Sequence, residues 1–404
     1  MKKSLFLMAM AGVALAGCVN DVADVTQKEQ KALVSFSSPL TYNNGAGTRA
    51  GYHGEVGKHQ YSVDGTGTVY SYPREEDFVI YAVKHEGDLV TWEEATETAF
   101  NGATLKYDSD VDGWAPTIAE KTGNDKYYTW DSGYKMSYAA CSPADLEQAD
   151  DWNGRSYGAT GLQITNFQVP GNAAKHFDLM YSVRQLNKTK ADMIHTANKF
   201  SGLPIVFKHM LSSIRFSIAN QSSQEIYLKS VRVYGVKYKG TFTENVIDGA
   251  TYIANNPGWD VDEAKIEEAN AYVAFSTTGD GLKFPLQARY LSDMIAAGDG
   301  NTVHQLLLMP QELMNDAVVE IGYTIGAGTS LQKATVKLNT AVLKQDNSEE
   351  LTNTTITEWL IGTRYTYRLY YSNEAAVKDM IYFSPSSDGW VDAGVAVINL
   401  ANAH

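Results

Sequence analysis

The stretch Asp108-Ser-Asp-Val-Asp-Gly113 sets oxygen-bearing side chains at alternate positions ahead of a glycine. That is the spacing with which the first half of a calcium loop surrounds its ion. Such a loop closes with a bidentate Glu at its twelfth position, but Ala119 stands there, Glu120 comes one place late and Pro116 intrudes. A hairpin turn between Leu105-Lys-Tyr107 and Trp114 accounts for the same residues, and no metal is assigned. Lys121-Thr-Gly123 and Ser132-Gly-Tyr-Lys135 are pieces of penicillin-recognising serine chemistry, but in reversed order and without the Ser-Asp-Asn element between them. The eight histidines form no pair at metal-ligating spacing. His85, His209 and His304 lie in or beside apolar strand-like runs, where a hydrogen-bonded structural role is expected. Carboxylates are abundant, yet nothing in their order pairs them into an acid–base site. The expectation is a protein with no catalytic residues, no metal and no cofactor, and not an enzyme.

The residue whose setting does predict chemistry is Cys18. Lys2 and Lys3 precede an apolar run from Leu5 to Leu15, which ends in Leu15-Ala16-Gly17-Cys18. The run is short of the roughly 20 apolar residues that span a bilayer as a helix, and small residues before a cysteine read as a processing site. The tetrad resembles the bacterial lipobox, so residues 1–17 are expected to be a lipoprotein signal peptide and Cys18 the acylated new N-terminus. Only Cys141 then remains, so no intramolecular disulfide is available and burial must supply the stability. Cys141 has no histidine near it in sequence and reads as a small buried residue.

The formal charge is −14, which favours solubility and repels nucleic acid. A chain of 404 residues is too long for one core and predicts two domains. Residues 19–31 are polar and aperiodic, a tether between lipid and folded protein. Beyond it the texture is β throughout. Leu33–Ser37, Phe78–Val83, Tyr134–Ala139, Ile205–Phe207, Ile214–Ile218 and Ile226–Val236 read as strands. So do Ala271–Ser276, Gln305–Met309, Val318–Ile325, Ala334–Leu338 and Tyr365–Tyr371. Asp262–Asn270 and Ala288–Ala297 look helical. The fold class expected is all-β with minor α, as two β-sandwich domains in tandem, with a boundary near residue 200 where polar Gln185–Gly202 gives way to an apolar run.

The order of these landmarks resembles the fimbrillin family, the type V pilin subunits of anaerobic gut and oral bacteria. The landmarks are an early strand at Val34-Ser-Phe36, a glycine-rich loop holding Thr48-Arg49-Ala50, and a core strand at Phe78-Val-Ile-Tyr-Ala82. They continue with Trp114, Tyr127-Tyr-Thr-Trp130 and Tyr134 to Pro143, where Cys141 replaces the usual aromatic. Phe207 to Phe216, Leu308-Met-Pro-Gln311, Trp359 to Tyr367, Ile381-Tyr-Phe383 and Trp390 complete the series.

The resemblance implies transthyretin-like sandwiches and a mechanism. A subunit would cross the periplasm as a lipoprotein and reach the outer membrane on its Cys18 lipid. An Arg-specific protease would cut between Arg49 and Ala50 and remove residues 18–49, the tether and first strand. The body would comprise domains at 50–200 and 201–380, with a C-terminal strand segment at 381–404. The vacated groove would accept that segment of a neighbour, with Val395, Val397, Ile398 and Leu400 as donor-strand candidates. The implied partners are further fimbrial subunits (copies of itself, anchor and tip proteins), and the role is cell adhesion at the surface. The residues are compatible with each step: Arg49 lies among glycines in a setting that proteases favour, and a lost strand leaves an apolar slot with unpaired backbone groups. A rival from another class is a surface glycan-binding lipoprotein of a polysaccharide-uptake system, in which Trp and Tyr stack on sugars.

Overall fold

In a computed structural model, the described residues are 34–36, 40–41, 60–63, 67–71, 76–95, 97–111, 113–118, 121–122, 127–130, 133–145, 154–195, 201–203, 205, 207–220, 223–248, 253–283, 301–303, 305–327, 330–340, 342–344, 354–371 and 391–399.

Phe78–His85 is an almost unbroken apolar run, and the structure buries both of its faces. Because side chains alternate along a strand, Phe78, Ile80 and Ala82 enter one core while Val79 and Tyr81 enter another. Its antiparallel neighbour Lys135–Ser142 divides in the same way, Met136, Tyr138 and Ala140 on one side and Cys141 on the other. These two strands are the middle of a six-stranded antiparallel sheet. Glu97–Leu105 flanks them on one edge, Met180–Ser182 followed by Phe207–His209 on the other, and Gln185–Lys188 also pairs with Lys135–Ser142.

On the larger core lies a four-stranded sheet in the order Gly258–Val261, Lys239–Thr243, Gly161–Gln168, Gly154–Gly158. Two further six-stranded sheets enclose the remainder. One runs Leu306–Leu308, Ser212–Asn220, Thr363–Tyr371, Val391–Asn399, Val342–Lys344, Thr354–Thr355. The other runs Asn301–Val303, Tyr272–Thr277, Ile226–Tyr234, Val318–Ile325, Gln332–Lys337, with Leu282–Lys283 beside Ile226–Tyr234. The protein is nearly all β, as expected. Both six-stranded sheets and the four-stranded sheet pack on one continuous core that runs from Val79 to Tyr371. The four-stranded sheet and the Phe207–His209 edge strand therefore join chain from both sides of residue 200.

The helix expected over Asp262–Asn270 does not form. Its backbone instead pairs with the residues after Ile226–Tyr234: Ile266 N–H donates to Val236 O (2.9 Å), and Gly235 N–H donates to Ile266 O (2.8 Å). Only a three-residue 3-10 turn survives, at Glu268–Asn270. The segment is rich in helix formers, but Ile266 is its one large apolar residue after Val261, too little to bury a helical face; propensity alone is a weak force. Ala288–Ala297 lies outside the described residues, and among these the helical elements are all 3-10 turns of three residues.

Gly235 sits at φ +73°, and a Cβ there would lie 1.7 Å from Asp316 O. Neither the backbone conformation nor the neighbouring carbonyl tolerates a side chain. Gly235→Ala should therefore lower stability by about 2 kcal/mol or more, measured as a shift in urea midpoint with the slope unchanged.

Candidate functional site

The residues ahead of the first long strand enter the smaller core as an inserted segment. Val34, Ser35 and Phe36 are all buried. Phe36 N–H donates to Trp114 O (2.8 Å) and Phe36 O accepts from Trp114 N–H (3.0 Å), an antiparallel bridge. On that same edge Val34 N–H donates to Tyr128 O (2.8 Å), while on the opposite edge Leu203 N–H donates to Ser35 O (2.8 Å). The Phe36 ring meets Tyr138 edge-on at 5.3 Å, within a core that includes Phe78, Trp114, Leu203 and Phe207. Trp114 is fixed in turn by its indole N–H, which donates to Glu76 O at 3.3 Å, and by ring contacts with Tyr107 and Phe78.

This slot is built to hold an extended chain: backbone donors and acceptors on both edges and an apolar floor beneath. Were residues 34–36 to leave, the carbonyls of Tyr128 and Trp114 and the N–H groups of Trp114 and Leu203 would lose their partners. Each buried group so orphaned costs about 1–3 kcal/mol, and another strand can restore the bonds without regard to its sequence.

The C-terminal strand Val391–Asn399 pairs within its own chain. It runs parallel to Thr363–Tyr371, with Val395 opposite Thr366, Val397 opposite Arg368 and Ile398 opposite Leu369. On its other side it runs antiparallel to Val342–Lys344, with Val397 opposite Val342 and Val395 opposite Lys344. Cys18, Arg49, Ala50 and Leu400 lie outside the described residues.

A buried polar cluster, which sequence reading missed, locks the four-stranded sheet to the rest. The Arg184 side chain is fully buried and ion-paired with Asp248. Its Nε donates to Tyr157 OH (2.9 Å) and its Nη2 to Gly158 O (2.6 Å) and Ala159 O (3.1 Å), while the guanidinium lies over the rings of Trp92 and Tyr157. Beside it Glu244 is buried, and its Oε2 accepts from Leu162 N–H at 3.0 Å. Among the described residues, neither Glu244 Oε1 nor Asp248 Oδ1 has a hydrogen-bond partner. Burial pushes the Glu244 carboxyl above the ordinary range, against the opposing pull of Leu162 N–H and Arg184. A side chain at Gly161 would put its Cβ 2.4 Å from Glu244 Oε2, so the glycine leaves room for the carboxylate. These residues are scattered along the chain and carry no motif; only folding assembles them.

The half calcium loop is a hairpin. Tyr107–Asp108 pairs with Gly113–Trp114, and the Asp108 carboxylate accepts from Asp110 N–H (2.9 Å) and Tyr127 OH (2.7 Å). Among the described residues no group of three or more His, Cys, Asp or Glu is placed to hold a metal. His85 bonds Gly87 O and the Ser137 hydroxyl, and His209 Nδ1 lies 2.9 Å from Asp178 Oδ1. Both are held by hydrogen bonds as expected, while His304 lies outside the described residues. Cys141 is buried, with its thiol pushed up by desolvation.

The model of the fimbrillin-like family matches residues 74–381, and the chain belongs to that family. Comparison with curated proteins finds no match. Similar solved structures include a provisionally named cell adhesion protein from Bacteroides uniformis, 13% identical, covering 85% of this chain and 94% of that one at TM-score 0.40. A second such protein, from Bacteroides ovatus, is 10% identical and covers 84% and 93% at TM-score 0.38. A fimbrial protein from Bacteroides ovatus is 12% identical and covers 91% of this chain but 50% of that one at TM-score 0.28.

Two outcomes follow from the site. Phe36→Ala should destabilise the intact chain by about 3–5 kcal/mol, the usual cost of emptying a phenylalanine site in a core, read by chemical denaturation. The raised Glu244 carboxyl makes the folded state hold its proton longer than the unfolded state, so this contribution is full below the ordinary value of 4.5 and is lost as pH rises through the folded value. Glu244→Gln should therefore flatten the decline in stability as pH rises above 4.5, measured as urea midpoints across a pH series.

Proposed function

We propose that this chain is a structural subunit of a cell-surface fimbria, carried to the outer membrane as a lipoprotein on Cys18 and matured by cleavage between Arg49 and Ala50. The observation that carries this reading is the burial of Val34–Phe36 in a slot bonded on both edges. A first segment that fills a core and is then cut free leaves a groove that only another strand restores. Cleavage after Arg49 detaches residues 18–49, lipid and first strand together, and converts a finished monomer into one that accepts a strand from a neighbour.

The donor in this reading is the C-terminal segment with Val395, Val397, Ile398 and Leu400. In the monomer Val391–Asn399 is paired at home, so donation requires it to leave Thr363–Tyr371 and Val342–Lys344. The home pairing then keeps the donor out of the way until a vacated groove is present. Further subunits, anchor and tip proteins are the partners, an Arg-specific protease is the trigger, and adhesion is the outcome. The body of the subunit is read as a domain before residue 200 and one after it.

Trace trypsin on soluble protein lacking residues 1–18, with mass spectrometry and native gels, tests the proposal. A single early cut after Arg49, followed by a ladder of oligomers that Arg49→Ala abolishes, is expected. Cleavage elsewhere, or a cut protein that stays monomeric, overturns strand-exchange assembly.

A further inference from the structure

A cleft of about 510 Å³ opens beside the far end of the four-stranded sheet. It is lined by Val169, Ile266 and Tyr238 together with Gln168, Asn172 and Asn270. No lining side chain is charged, in a chain whose net charge is −14. The wall is anchored through its backbone: Val169 N–H donates to Tyr238 O (2.8 Å), and Asn270 N–H donates to Glu267 O (3.0 Å).

Several polar groups here are left uncommitted. Asn172 uses its Oδ1 to accept from Ala174 N–H (2.9 Å), which leaves its NH₂. That NH₂, the Asn270 amide and the Tyr238 hydroxyl have no hydrogen-bond partner among the described residues. Tyr272, next in sequence to the lining residue Ala271, is fully buried, and its hydroxyl has no hydrogen-bond partner among the described residues. A buried hydroxyl without a partner is uncommon and costly.

An aromatic face, apolar walls and neutral donors and acceptors are the chemistry that recognises a sugar ring, whose C–H face stacks and whose hydroxyls pair with amides. The charge pattern narrows the class. Glu267 and Glu268 precede the lining residues Ala269 and Asn270, and Lys237, Lys239 and Lys265 flank Tyr238 and Ile266, but none of these charges is in the lining, so an acidic sugar would find no paired cation there. We propose that this cleft binds a neutral hexose unit of a glycan, so that the subunit body carries its own recognition site. The site is independent of strand exchange, and either reading stands without the other.

The test is saturation-transfer NMR on the full-length protein with neutral gluco-, galacto- and manno-oligosaccharides, and a sialylated trisaccharide as the acidic control. At least one neutral sugar should receive transfer and the acidic control should not. Gly171 lines the cleft, and a Cβ added to it meets nothing within 4 Å, so Gly171→Trp should fold normally while its indole occupies the space. Gly171→Trp and Tyr238→Ala should each abolish transfer with an unchanged circular-dichroism spectrum. Absence of transfer to every neutral sugar, equal transfer to the acidic control, or undiminished transfer in Gly171→Trp would overturn the proposal.

Discussion

The arrangement depends on the pairing of Phe78–His85 with Lys135–Ser142, two strands that have no solvent face. In an antiparallel pair wetted on one side, a slip by one residue would exchange an apolar face for a polar one. Here both faces are apolar but differ in size and shape. The small Ala82 and Ala140 sit beside Phe78 and Tyr138 on one side, while Val79, Tyr81 and Cys141 meet the larger core on the other. A slip would send Tyr138 and Phe78 into the wrong core, so register is held by packing on two sides at once. The inserted Val34–Phe36 segment and the four-stranded sheet both rest on this wall, from opposite faces.

On the larger side, continuity comes at an electrostatic cost. Arg184 and Asp248 are removed from water together, and such a pair offsets its desolvation only when the remaining donors are bonded. Arg184 meets that condition through Tyr157 and the carbonyls of Gly158 and Ala159. Glu244 does so only in part, with one oxygen on Leu162 N–H and the other without a partner among the described residues. Breaking either partner strands a buried charge, so the cluster acts less as a source of stability than as a constraint on how Gly154–Gly158 and Gly161–Gln168 meet Lys239–Thr243 and Val246–Asp248.

On the smaller side, the constraint is of a different kind. The Val34–Phe36 segment is held by main-chain bonds on both edges and by the apolar contacts of Val34 and Phe36. The C-terminal strand is held in a contrasting way, between a parallel and an antiparallel neighbour in the interior of its sheet.

The sequence by itself determined the β class, the long buried strands and the structural character of His85, His209 and Cys141. Phe78–His85, Ser212–Asn220, Val318–Ile325 and Thr363–Tyr371 are legible because each carries enough β-branched and aromatic residues to declare its period. The four-stranded sheet was not legible: Gly154–Gly158, Lys239–Thr243 and Gly258–Val261 are short, polar and rich in glycine, and their pairing comes from neighbours distant in the chain. Asp262–Asn270 misled for the converse reason, since local propensity favours a helix while the backbone groups of Gly235 and Val236 required partners. The hairpin at Asp108–Gly113 could be weighed against a metal site from spacing, but only the fold brought Tyr127 to the Asp108 carboxylate. The Arg184 cluster, the two-edged seat of Phe36 and the neutral cleft at Tyr238 belong to tertiary structure alone. Each is made of residues far apart in the chain, and no local pattern encodes a contact whose partners are set by how sheets stack.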